Sequence, residues 1–254
     1  MSSKSATASS RKPATASSIG PVTALSSEPA TASSGKSATA SSIGPVTASA
    51  RVAPASLPPG VRLIEDFVDA DASAALRARC LASLAWERPV VRMFGRTHPV
   101  PRELAFVAPR GLAYAYSGIV HEGVGVPDFC TALLARVAST AGAPFDAMLL
   151  THYRDGEDRL GWHADDEAEL GPDPVLAILS LGASRTLRFR HRPGSPAAGA
   201  GRGAVCAVEL HDGALLLMGA GVQRRFEHEV PRRRGRGARL SIGFRVLGGG
   251  HARP

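Results

Sequence analysis

Hydrophobic and polar positions divide the chain into three stretches. From Met1 to about Leu57 the residues are almost all Ser, Ala, Thr, Pro and Gly, with no aromatic residue and too little apolar surface to build a core. Two helical patterns follow. In "DADASAALRARCLASLAW", Leu76, Cys80, Leu81 and Leu84 recur at helical spacing behind Asp71 or Ser73 as N-cap; in "VPDFCTALLARVAST", Pro127 and Asp128 open a helix with Phe129, Leu133, Leu134 and Val137 on one face. From about Ala147 the period changes to that of short strands: "AMLLTHY", "VLAILSLG", "TLRFRH", "AVCAVEL", "ALLLMG", "RRFEHEV" and "ARLSIGFRVL", punctuated by Gly, Pro and Asp. Helices first and then seven short strands predict an α+β domain over residues 58–254, built on a β-sandwich or jelly roll.

The last strand alternates strictly. Leu240, Ile242 and Phe244 point one way; Arg239, Ser241, Gly243 and Arg245 point the other. An ordinary half-buried strand would hold those arginines in water. The other reading turns both toward a cavity that holds a dianion.

The first stretch repeats itself: "ATASSIGPVTA" occurs at Ala14–Ala24 and again at Ala38–Ala48. Such a unit is too poor in apolar residues to stack as a solenoid, so residues 1–57 are expected to be a disordered tail. Five basic residues against Glu28 give it half of the chain's net charge of +8. A Ser-rich, basic, nearly acid-free segment also describes an organelle transit peptide, and both readings stand. The rest of the excess suits a polyanionic partner, although solubility alone could account for it. Three widely spaced cysteines, Cys80, Cys130 and Cys206, fit neither a disulfide framework nor a zinc ribbon and favour a reducing interior. No apolar run approaches the ~20 residues needed to span a bilayer.

The candidate chemistry lies in "GWHADDE". His163 and Asp165, two apart on an extended chain, project from one face and can reach one metal ion. A lone H-x-D is weak evidence, because eight histidines and eleven aspartates produce such pairs by chance. A third ligand strengthens it: "RRFEHEV" supplies His228 on a later strand, completing the two-histidine, one-carboxylate set of non-heme Fe(II) oxygenases. Arg239 then follows on the next strand, where a guanidinium could bind the far carboxylate of 2-oxoglutarate.

With these residues in place the chain resembles the AlkB family of Fe(II)/2-oxoglutarate dioxygenases, which remove alkyl groups from nucleic acid bases. The likeness runs from about Arg92 to Leu247, through "VRMFGRTHPVPRE", "GLAYAYSG", "YRDGEDRLGWHADDE", "ILSLGASRTLRFRH", "EHEVP" and "ARLSIGFR". It is greatest to the branch that repairs duplex DNA. The resemblance implies a double-stranded β-helix (jelly-roll) core with N-terminal helices and a nucleotide-recognition lid. It implies Fe(II) on His163, Asp165 and His228, with 2-oxoglutarate and O2 as cosubstrates. Thr151, Tyr153, Arg239, Ser241 and Arg245 would surround 2-oxoglutarate. Tyr114 and Tyr116 would flank a flipped base, Asp166 and Glu167 would wall its pocket, and Arg102 would belong to the lid. Phe94, beside Gly95 and Arg96 at an exposed hairpin tip, would wedge into the base stack, and Arg232, Arg233 and Arg234 would grip phosphates.

The implied function is oxidative demethylation of N-alkylated bases in DNA, of the 1-methyladenine and 3-methylcytosine type, with release of formaldehyde and succinate. Duplex is favoured; RNA or single-stranded DNA, and a catalytically weak binding module for alkylated nucleic acid, are the alternatives. A zinc hydrolase on the same ligands would leave Arg239 and Arg245 unexplained. The expected protein is an intracellular monomer without membrane association, in the nucleus or an organelle of a eukaryote or the cytoplasm of a bacterium. Three positions depart from the family pattern. Thr151 and Ser241 replace asparagines and Gly243 replaces a threonine, which predicts weaker cosubstrate binding at about 0.5–1.5 kcal/mol for each lost hydrogen bond. The linker "RPGSPAAGAGRG" also replaces a more basic loop.

Overall fold

The computed structural model describes residues 57–93, 95–116, 118–195 and 205–247. The expected tail, apart from Leu57, and the expected wedge Phe94 lie outside them, as does most of the "RPGSPAAGAGRG" linker. Two antiparallel sheets pack face to face. The larger contains β1 (Val61–Ile64), β4 (Glu103–Val107), β7 (Ala147–Tyr153), β9 (Leu176–Gly182), β12 (Leu215–Met218) and β14 (Arg239–Arg245), in the order β1-β12-β9-β14-β7-β4. The smaller contains β8 (Leu160–His163), β10 (Arg185–His191), β11 (Cys206–Leu210) and β13 (Phe226–Val230), in the order β11-β10-β13-β8. This is the jelly-roll sandwich that the strand pattern predicts.

The two helices, α1 (Ala70–Ser83) and α2 (Asp128–Ala141), pack on the outer face of the larger sheet. Leu76 and Cys80 of α1 and Cys130, Leu133 and Val137 of α2 share one core with Leu240, Ile242 and Phe244 of β14. The opposite face of β14 turns inward between the sheets. Every residue of that strand is buried, with Arg239 at 1% and Arg245 at 6% exposure. The arginines therefore do not sit in water; both line a cavity between the sheets.

Two expectations need correction. The N-cap of α1 is Asp69, whose carboxylate accepts from the Ala72 N–H at 2.8 Å, rather than Asp71 or Ser73. Ser73 is instead buried and hydrogen-bonded to Asp212. The order "helices first, strands after" also fails, because β1 precedes α1, and β4 lies between the helices; both join the larger sheet. Each has only four or five residues, too few for alternation to register. Two hairpins complete the chain: β2 (Val90–Met93) with β3 (Arg96–Pro99), and β5 (Ala113–Tyr116) with β6 (Ile119–Glu122). Met93 pairs with Arg96, and Gly95 takes φ +75° between these strands.

Behind the sandwich, two loops are tied together by buried charge. The backbone N–H, Nε and Nη2 of Arg154 all donate to the Asp158 carboxylate, at 2.9, 2.7 and 2.7 Å. Arg185, 1% exposed, donates to the carbonyls of Asp155, Asp158 and Pro231. At Gly156 a Cβ would lie 2.0 Å from the Arg233 carbonyl, so only glycine lets the loop of residues 231–236 dock there. Burial alone would raise the Asp158 carboxyl; its bonds with Arg154 more than offset this and hold it below the usual carboxylate range. A depressed folded value means the contribution is fully present above the unfolded value of about 3.9 and is lost as pH falls through the folded one. Asp158→Ala is expected to cost about 2 kcal/mol at neutral pH and to flatten the acid limb of stability below about pH 4; urea unfolding on either side of that pH checks both.

Candidate active site

The pleat and the register assemble the centre. His163 ends β8 and pairs directly with His228 of β13, bringing the imidazoles to 4.2 Å between ring centroids. Asp165 follows β8 and is buried, with Oδ2 at 3.5 Å from His228 Nε2. One ligand atom from each of the three residues lies within 4.8 Å of the others, the one such metal-capable group among the described residues.

Each ligand is held in the form that binds a cation. His163 Nδ1 is 2.9 Å from the Gly161 carbonyl; a carbonyl only accepts, so Nδ1 carries the proton and Nε2 keeps its lone pair. Burial, followed by the neighbouring His163, pushes the His228 imidazolium down to about 3, so it is neutral at physiological pH. Burial would raise Asp165, but the Arg245 guanidinium, with smaller help from the two histidines, brings it down to about 2. Arg245 Nη2 donates to Asp165 Oδ1 at 2.9 Å, and Nη1 donates to the Gly243 carbonyl at 3.1 Å.

The triad opens on a cavity between the sheets, with about 530 Å³ of empty space including its mouth. Besides the triad, Tyr116, Thr151, Tyr153, Arg239, Ser241 and Arg245 line it. Register places Thr151, Ser241 and Ser180 side by side across β7, β14 and β9, a row of three buried hydroxyls. Arg239 Nε donates to Ser180 Oγ at 2.8 Å, while its buried Nη1 has no hydrogen-bond partner among the described residues. An unmatched buried guanidinium N–H is costly unless an anion meets it. Burial pulls Arg239 down to about 10, which leaves it charged at neutral pH.

Other site residues fall in different places from those expected. Tyr114 is fully buried beneath Arg245, whose guanidinium carbon lies 5.3 Å from the ring centroid; it stacks on Tyr116 at 5.9 Å, and only Tyr116 reaches the cavity. Asp166 is half exposed and bound to Arg192 at 2.7 Å, so it does not wall the pocket. Glu167 is part-buried and not among the residues lining the cavity; burial, then the charge of Asp165, raises its carboxyl. Arg102 is 6% exposed and donates to the Arg159 carbonyl. Arg96 is exposed on β3. Arg232 and Arg234 both pair with Glu157, which offsets part of the basic loop's charge, whereas Arg233 is exposed with its backbone N–H on Gly156. Gly243 departs from the family pattern for a visible reason, since a Cβ there would lie 2.6 Å from Arg245 Nη1. The guanidinium occupies that space and reaches Asp165.

Sequence reasoning did not single out Ser180, Arg185 or Gln223, all 1% exposed or less. Ser180 sits in an apolar strand, where an unneeded hydroxyl is the signal that could have marked it. Gln223 lies in a four-residue helical turn, α3 (Val222–Arg225), and carried no signal.

A two-histidine, one-carboxylate centre in a jelly roll, facing a buried arginine, defines an Fe(II)/2-oxoglutarate oxygenase. The chain belongs to the 2OG-Fe(II) oxygenase superfamily, whose model matches residues 60–245. It is 33% identical over 158 residues to "DNA oxidative demethylase ALKBH2" of Homo sapiens, covering 62% of this chain and 60% of the relative. It is 32% identical over 192 residues to "Alpha-ketoglutarate-dependent dioxygenase alkB homolog 3" of Rattus norvegicus, covering 74% and 64%. The chain thus spans roughly three-fifths of the length of these curated relatives. A solved structure of OsALKBH1 shares the fold, with a TM-score of 0.56 at 15% identity, covering 77% of this chain and 99% of that one. Membership of that superfamily calls for Fe(II) and 2-oxoglutarate. The residues present fit that requirement: three ligand atoms in metal-binding form, and a buried guanidinium with an unmatched donor for a carboxylate. No helix among the described residues is long and apolar enough to cross a membrane.

Proposed function

We propose that this chain is a DNA oxidative demethylase acting on N-alkylated bases of the 1-methyladenine and 3-methylcytosine type, with duplex DNA as the favoured substrate. The observation that carries the proposal is the triad sharing one cavity with Arg239 and with Tyr116, an aromatic lent by a hairpin outside the sandwich. The name of the ALKBH2 relative supports DNA as the substrate, and that of the alkB homolog 3 relative supports the cosubstrate. In this reading residues 58–254 form the oxygenase domain and residues 1–57 an appended tail. The protein acts as a monomer, in the nucleus or a DNA-containing organelle of a eukaryote or the cytoplasm of a bacterium.

His163, Asp165 and His228 would hold Fe(II), which would supply the oxidation: conversion of 2-oxoglutarate and O2 to succinate and CO2 would place one oxygen on the N-alkyl carbon, and the resulting N-hydroxymethyl group would leave as formaldehyde. The protein's own residues do the rest. Arg239, aimed by Ser180, binds the distal carboxylate of 2-oxoglutarate with Tyr153, while Thr151 and Ser241 offer hydroxyls beside it. Arg245 keeps Asp165 ionised and fixes its orientation. Tyr116 presents a ring and Glu167 a carboxyl to the extruded base. A methylated adenine or cytosine is cationic, which suits an aromatic face and restores the charge of a carboxyl that burial raises. Arg233, with Arg232 and Arg234, contacts phosphates.

Strandedness is tested with one oligonucleotide carrying 1-methyladenine, presented single-stranded or paired. Wild type is expected to repair both, and Phe94→Ala to lose about tenfold or more on duplex and little on the single strand. Equal losses on both would remove the wedge; repair confined to single strands or RNA would move the substrate to that alternative.

A further inference from the structure

The loop that carries Asp165 is clamped at two points to the turn that leads into His228. Gln223, 1% exposed, accepts the Asp165 N–H through its side-chain oxygen at 3.0 Å, in a fully buried contact. Its amide nitrogen donates to Met218 Sδ at 3.3 Å, which fixes which end of the amide faces Asp165. The backbone carbonyl of the same Gln223 accepts from Arg192 Nη1 at 3.0 Å, and Arg192 Nη1 also bonds the Asp166 carboxylate at 2.7 Å. Gln223 stands five residues before His228, on the turn that opens β13.

This cross-link solves a particular problem. Asp165 lies beyond the end of β8, outside the paired residues of the β8–β13 ladder. Arg245 fixes the carboxylate end of Asp165; Gln223 fixes the backbone end. A metal ligand held at both ends loses less conformational freedom on binding.

We propose that Gln223 is a positioning residue for the metal centre, setting the separation of Asp165 and His228, with Arg192 as the outer half of the same clamp. The inference rests on the metal-site reading. It touches neither substrate nor metal and acts through Asp165.

The test is titration of the metal-free protein with Co(II), read from its visible ligand-field bands and from binding affinity, beside thermal unfolding of the metal-free forms. Gln223→Met keeps the volume and removes the acceptor; it is expected to weaken Co(II) about 10–100-fold and to shift the bands. Gln223→Glu keeps an acceptor oxygen and is expected to stay within a few fold of wild type. A purely structural role would lower the melting temperature of Gln223→Met while leaving Co(II) affinity and bands unchanged, and that result overturns the proposal. Should Gln223→Met fail to fold, Arg192→Gln on the solvent side decides: about threefold weaker Co(II) is expected, and no change overturns the clamp. Wild type binding Co(II) no better than His163→Ala would instead overturn the metal-site reading, and the clamp with it.

Discussion

Asp165→Ala is expected to damage the enzyme twice, where His163→Ala damages it once. Both remove a metal ligand, and turnover of 2-oxoglutarate should fall to background in each. Stability separates them. Asp165 is the charge partner of Arg245, which is 6% exposed and also meets the Gly243 carbonyl and Tyr114. Removing the carboxylate strands that guanidinium in the interior, at about 3–5 kcal/mol. His163 is only part-buried, and its hydrogen bond is to the Gly161 carbonyl two residues away, so its loss should cost under about 1 kcal/mol. Urea unfolding without metal, set beside turnover, checks the pair. Equal stability for the two variants would mean that Arg245 finds another partner and that the Asp165–Arg245 bond is not what orders the site.

Arg239→Lys should raise the KM for 2-oxoglutarate about 100-fold with a much smaller change in kcat. Arg239 uses Nε on Ser180 and keeps a buried, unmatched Nη1 on the cavity side. A lysine ammonium cannot span both, because its donors radiate from a single atom and lack the fork. Loss of a two-point charged contact costs about 2.7 kcal/mol, which is that factor. The contact is made away from the reacting carbon, so it is present equally before and during reaction and should appear in KM. Steady-state kinetics at saturating metal distinguish the outcomes; a loss confined to kcat would remove Arg239 from the cosubstrate site.

How far the chain was legible depended on the length of each signal. Alternation over Arg239–Arg245 correctly sets the two faces of β14, because seven residues of strand carry the pattern without interruption. His163, Asp165 and His228 were readable as ligands because their residue types and strand context restrict what else they could do. Arg245 was placed beside the cosubstrate, yet its bond to Asp165 depends on the space over Gly243, which no pattern encodes. Asp166 shows the opposite error. Adjacent acids look alike in sequence, but successive side chains on an extended segment face opposite ways, and Arg192 draws this one outward. Gln223 and Arg185 act through carbonyl and N–H groups of distant loops, and such contacts leave no local trace.

The central claim is tested most directly by following one duplex oligonucleotide carrying a single 1-methyladenine through a reaction with wild type or His163→Ala, with and without 2-oxoglutarate. Restored adenine and formaldehyde in equal amounts, only with wild type and only when Fe(II) and 2-oxoglutarate are present, is the predicted result. Tight binding of the lesion without repair, in a protein that leaves 2-oxoglutarate intact, would contradict the demethylase and leave a module that recognises alkylated DNA.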